Sequence, residues 1–148
     1  MPVTARQIEP WNINVFGDGR NLPPGSGTVM AGHKLFDAQC ASCHGAKGEG
    51  GMGDRLAGGM GTLTAAKPVL TVGSYWPYAP TLFDYIRRAM PLNAPQSLSN
   101  DEVYAVAGYV LFLNGLVKEH DRINAASLKN LKMPNRNGFI EDPRPDVR

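Results

Sequence analysis

Both cysteines of this chain lie in one pentapeptide, Cys40-Ala41-Ser42-Cys43-His44, in which one of the three histidines directly follows the second thiol. Two thiols at this spacing can each add across a vinyl group of a porphyrin, and the adjacent histidine then stands under the metal as an axial ligand. The motif points to one covalently attached haem c with its iron, anchored by Cys40 and Cys43 and ligated by His44. A large flat cofactor bound this early in the chain obliges everything after it to close around that group.

A Cys-x-x-Cys pair also occurs in thioredoxin-like redox sites and in zinc sites. The first needs a βαβ setting, which this sequence lacks. The second needs further ligands, yet there is no third cysteine, and His33 and His120 follow no zinc-ligand spacing. Either histidine is expected to face solvent.

The composition fits the same reading. The chain has 148 residues, 43% of them hydrophobic, which makes one domain, but 17 glycines and 12 prolines mean that much of it is loop. A bound porphyrin supplies part of the missing apolar core. A formal net charge of +2 leaves no nucleic-acid footprint. The longest apolar stretch, residues 103–113, is too short to cross a bilayer, so no membrane insertion is expected. Residues 1–10 contain no apolar secretory segment. Because covalent haem attachment belongs outside the bacterial cytoplasm, the expected location is periplasmic, with a leader already removed.

Residues 1–27 read as an extended arm ending in Leu22-Pro23-Pro24-Gly25-Ser26-Gly27. Residues 28–117 are expected to form the haem domain, and residues 118–148 a wrap or flexible tail of the same domain. A first helix, capped by Ser26 or Thr28, would put Val29, Gly32, Phe36, Cys40 and Cys43 on one face. Gly32 on that face suggests close approach by another helix. Residues 45–61 are too glycine-rich for regular structure, and the loop continues to Tyr75-Trp76-Pro77-Tyr78. Trp76 and Tyr75 are candidates for the haem rim, where an indole N–H or phenol can bond a propionate.

A second helix is expected from Thr81 as N-cap up to Pro91, which pushes Met90 into an extended conformation with its thioether free to turn inward. Met90 is the leading sixth-ligand candidate. Met133, also followed by proline, is its rival; Met52 and Met60 lie in the glycine-rich loop, and Met30 is expected in the core. The last helix has a Ser99/Glu102 capping box and a stripe of Val103, Val106, Val110 and Leu113, ended by Gly115. Ala107, Gly108 and Tyr109 are placed to meet Gly32 and Phe36. Lys47, Arg55, Arg87 and Arg88 are candidates for a basic rim around the haem.

Together, a Cys-x-x-Cys-His after a first helix, a Met-Pro before the last helix and small and aromatic contact residues on that helix resemble class I cytochrome c. The resemblance implies an all-α fold with long irregular loops, an extended N-terminal arm and a non-helical C-terminal tail around one haem. It also implies Cys40 and Cys43 as thioether anchors, His44 as proximal and Met90 as distal ligand, and single-electron transfer without an enzymatic step.

The stretch beginning Thr71-Val-Gly-Ser-Tyr-Trp-Pro-Tyr, the run Ala94-Pro-Gln-Ser-Leu-Ser-Asn-Asp-Glu-Val-Tyr and Met133-Pro-Asn-Arg-Asn-Gly-Phe139 are similar to cytochromes of bacterial sulfur oxidation. That likeness implies a molybdenum-containing sulfite or sulfane dehydrogenase as electron donor and a later cytochrome or terminal oxidase as acceptor. A sulfite dehydrogenase served by a free monohaem carrier is the first expectation, and a fixed cytochrome subunit of a dehydrogenase complex the second. A haem enzyme or ligand sensor would need an open sixth position on the iron.

Overall fold

The computed structural model describes residues 1–147. Its framework is α2 (Val29–Gln39) crossing α5 (Asn100–Leu113), with α4 (Ala79–Ala89) packed on α5 as well. Ahead of these lies α1 (Ala5–Ile8), and α3 (Ala41–His44) is a single turn after α2. Strands β1 (Ser26–Thr28) and β2 (Arg122–Asn124) pair antiparallel, Gly27 opposite Ile123, and α6 (Ala125–Asn130) follows.

Local chemistry accounts for the helix ends. The Thr28 hydroxyl accepts from the Ala31 N–H and starts α2. Ser99 and Glu102 cap each other's backbone N–H groups at the start of α5. At its other end, Leu116 donates to the Leu111 carbonyl and Gly115, at φ +72°, to that of Phe112, which satisfies the last carbonyls. Helix α4 begins at Ala79, with Tyr78 rather than Thr81 as N-cap. Pro80 sits inside the first turn, where a helix has no use for its missing N–H.

Helix α5 is buried on every side from Val103 to Leu111, so the expected single stripe is part of an all-round apolar surface. Gly32 of α2 lies directly on the Ala105 carbonyl, and Phe36 meets the Tyr109 ring edge-on at 5.1 Å. The close crossing therefore falls at Ala105 rather than at Ala107 and Gly108. Gly108 instead receives Ile123 from β2.

The terminal segments carry more regular structure than the sequence implied. Asn124 and Ser127 form a capping box for α6, so the tail is partly helical. It is also anchored: Ile123, Leu128 and Met133 are buried in the main core. The arm holds a short helix and a 3₁₀ turn before its irregular stretch. Met30, expected in the core, is half exposed, because it turns about 100° away from the buried Val29–Gly32–Phe36 face.

Candidate haem site

Helix α2 stops at Gln39, and Cys40 takes φ −121°, ψ −38° before the turn of α3. The two thiols thus leave from a break between helices rather than from one continuous face. Both are half-buried, and both line a cleft of about 1130 Å³. Its apolar walls include Phe36, Leu56, Val72, Leu82, Ile86, Leu98, Val106 and Val110, drawn from α2, α4, α5, the long loop and the segment before α5. Burial, reinforced by the neighbouring Cys43, pushes the Cys40 thiol up to about 11, so it is neutral at ordinary pH.

His44 follows Cys43 and is oriented by the glycine-rich loop. Its Nδ1 lies 2.6 Å from the Asp54 carbonyl oxygen, which can only accept; Nδ1 therefore carries the hydrogen and Nε2 keeps its lone pair. Gly53 lies against the imidazole, where an added Cβ would come within 2.9 Å of Cε1. The loop is tied back to the pentapeptide by Gly50 N–H to the His44 carbonyl at 2.7 Å and Gly53 N–H to the Cys43 carbonyl at 2.8 Å. Residues 45–61 are thus irregular but fastened.

Met90 ends α4 in the extended conformation expected before proline, φ −117°, ψ 145°, with its N–H on the Ile86 carbonyl at 3.0 Å. Its side chain lines the cleft. Met133 does not line it: that side chain is 2% exposed and belongs to the core formed with the tail. Met52 lies at the cleft mouth, 88% exposed, and Met60 borders a separate small pocket with Pro134 and Asn135. His33 and His120 are exposed, His33 stacking on the Tyr109 ring at 4.4 Å.

The two candidate rim aromatics part company. Trp76 lines the cleft and meets Tyr85 edge-on at 6.1 Å. Tyr75 is not part of the cleft wall; its ring packs on Phe139 at 5.1 Å and its carbonyl accepts from Asn135 at 2.8 Å. It fastens the tail. Arg55 borders the cleft, whereas Arg87 and Arg88 are occupied with the N-terminal arm.

Sequence reasoning missed Asn114. Its Oδ1 accepts from the Gly58 N–H and its Nδ2 donates to the Leu56 and Val110 carbonyls, each at 3.0 Å. One buried amide thereby pins the long loop to the end of α5. An asparagine before Gly115 signals a helix end, but nothing local announces the reach to residues 56–58. Thr71 and Ser74 fasten the same loop farther along, the Thr71 hydroxyl donating to the Gly58 carbonyl at 2.7 Å.

Residues 29–114 match the profile of the family described as cytochrome c. This chain belongs to the cytochrome c family. Its cofactor is accordingly haem c, an iron porphyrin held by covalent bonds, and its work is electron transfer. The residues fit that group: two thiols and a thioether from a separate element line an apolar enclosure, and His44, which is not itself part of the cleft wall, follows the second thiol with its Nε2 lone pair left free by the Asp54 carbonyl. The class I resemblance read from the sequence is borne out.

A chain in the crystal structure of the sulfane dehydrogenase SoxCD from Paracoccus pantotrophus is 41% identical, with a TM-score of 0.92 over 99% of this cytochrome and 73% of that chain. The thiosulfate dehydrogenase of Allochromatium vinosum is 35% identical over 80 residues, which are 54% of this chain and 29% of that enzyme. The cytochrome thus spans under a third of the curated relative it matches. Among the described residues, no helix is long and apolar enough to cross a membrane.

Proposed function

We propose that this cytochrome accepts electrons one at a time from a molybdenum-containing sulfane or sulfite dehydrogenase in the periplasm and passes them to a later cytochrome or oxidase. The carrying observation is the likeness to a chain of sulfane dehydrogenase SoxCD across 99% of this chain. It runs through the arm and the tail, which lie outside the residues that match the cytochrome c family. That extent favours a fixed subunit over a free shuttle, since terminal segments are the parts that would wrap a partner. Trp11 in the arm and Ile140 in the tail, 82% and 94% exposed, are in keeping with it.

In this reading Cys40 and Cys43 would hold the haem through thioether bonds, His44 Nε2 and the Met90 sulfur would ligate its iron, and Trp76 would border it. Haem bound there supplies one-electron exchange between ferric and ferrous iron. The Asp54 carbonyl holds the imidazole in the tautomer that leaves Nε2 free. Leu82, Ile86, Val106 and Val110 exclude water, and a histidine–methionine pair leaves no open position and raises the potential.

The test is to mix the oxidised holoprotein with the catalytic subunit of a sulfane dehydrogenase and its sulfur substrate. Haem reduction within the enzyme's turnover time and co-elution on size exclusion are expected. Reduction with separate elution would favour a free shuttle, and no reduction would remove the sulfane dehydrogenase as donor.

A further inference from the structure

The irregular part of the N-terminal arm runs antiparallel to α4 along the helix that ends in Met90. Gly17 lies on the Tyr78 ring at the helix start, where an added Cβ would come within 2.7 Å. Farther along, the Val15 N–H donates to Asp84 Oδ1 at 2.8 Å. In the last turn, Arg88 donates to Asn14 Oδ1 at 2.6 Å and Arg87 to the Ile13 carbonyl. Residues 13–17 can span about 13 Å and residues 78–88 of a helix about 15 Å, so arm and helix match in length.

The contacts form one connected unit. Asp84 also holds Arg88, at 3.1 Å, so its carboxylate joins the arm backbone to the charge that grips Asn14. Arg87 Nε is buried with no hydrogen-bond partner among the described residues, and its guanidinium lies over the Phe83 ring at 5.3 Å. A half-satisfied cation is costly to keep at this place unless its contact with the arm is needed. Two residues later the chain reaches Met90, whose N–H donates to the Ile86 carbonyl.

We infer that Asp84, Arg87 and Arg88 are positioning residues, and that the arm they hold acts as a splint keeping the last turn of α4, and with it the Met90 thioether, in place. This rests on Met90 as distal ligand. The splint raises the cost of swinging Met90 away from the haem, so cutting it lets an outside ligand compete more easily. It also gives whatever grips the arm a route to the haem ligand.

The test titrates ferric holoprotein with imidazole and records the weak sulfur-to-iron band in the far red. Asp84→Ala is expected to bind imidazole about tenfold more tightly, the scale of losing a charge-assisted hydrogen bond, with helix content unchanged by circular dichroism. Asp84→Asn keeps an acceptor for the Val15 N–H and should fall between it and the parent. Parental imidazole affinity in Asp84→Ala would overturn the inference. If that variant fails to take up haem, Asn14→Ala, which removes one Arg88 contact, decides the matter by the same reading at smaller size. Met90→Ala separates the premises: a far-red band that survives it removes Met90 as ligand, whereas its loss leaves the splint to be judged by Asp84 alone.

Discussion

The Cα of Gly32 rests on the carbonyl of Ala105, so close that any side chain at position 32 would overlap the backbone of α5. The contact fixes how α2 crosses α5, and so where Phe36 and the following thiols meet the cleft. Gly32→Ala cannot be absorbed by a rotamer change because the obstacle is backbone. It should cost about 1–3 kcal/mol of stability, the usual range for overpacking, because the two helices must part to admit the methyl group. Denaturant unfolding of the holoprotein checks it, and an unchanged midpoint would show that the crossing yields freely.

Tyr104 should make the protein sensitive to alkali. Its hydroxyl donates to the Pro23 carbonyl at 2.6 Å from within the buried part of α5. Burial raises its pKa above the ordinary 10.0, with the Arg87 charge pulling back. A group raised on folding contributes stability below its unfolded pKa and loses it as pH climbs through the folded value. The stabilisation from Tyr104 is therefore complete below about pH 10 and fades above it. Tyr104→Phe should lose about 1 kcal/mol at neutral pH and show a shallower fall above pH 10, with Tyr109, also raised by burial, keeping a slope of its own. Melting temperature against pH, parent beside variant, reads both effects.

Asn114 carries two hydrogen bonds between the end of α5 and the loop, with Gly58 and Leu56, and a third back to the Val110 carbonyl of the helix itself. Asn114→Ala leaves the Gly58 N–H and the Leu56 carbonyl without that partner, and should destabilise by about 2 kcal/mol. Amide exchange should quicken first at residues 56–58, ahead of α5 itself. Equal protection in parent and variant would mean that Thr71 and Ser74 hold the loop unaided.

What the sequence made legible was local. The Ser99/Glu102 box and the extended residue before Pro91 each depend on a few adjacent side chains and are found as read, and of the two candidate caps for α2, Ser26 and Thr28, the second is the one used. Helix α6 has only six residues, too few for a periodic signal, and is held by what Leu128 meets across the fold. The attachment of the arm to Asp84 joins positions 69 apart, and Asn114 reaches back 56. Met30 is different: its displacement from the Val29, Gly32 and Phe36 face follows from helical geometry alone.

Met90 and Met133 are both followed by proline, and only their surroundings tell them apart. Met90 lines the cleft at the end of α4, whereas Met133 is sealed in the core with Ile123 and Leu128. Replacing the first should therefore change the haem and replacing the second should change the fold. Met90→Ala is expected to abolish the far-red sulfur-to-iron band and open the iron to added ligands, with the potential falling as the thioether is lost. Met133→Ala should keep the band and lose about 2–5 kcal/mol of stability, while Met133→Leu, close in volume, should lose under about 1.5 kcal/mol. The optical spectrum and a denaturant titration on all three separate the roles. A band lost in Met133→Leu, with stability intact, would exchange the two assignments, because a conservative core replacement has no other way to remove sulfur from the iron.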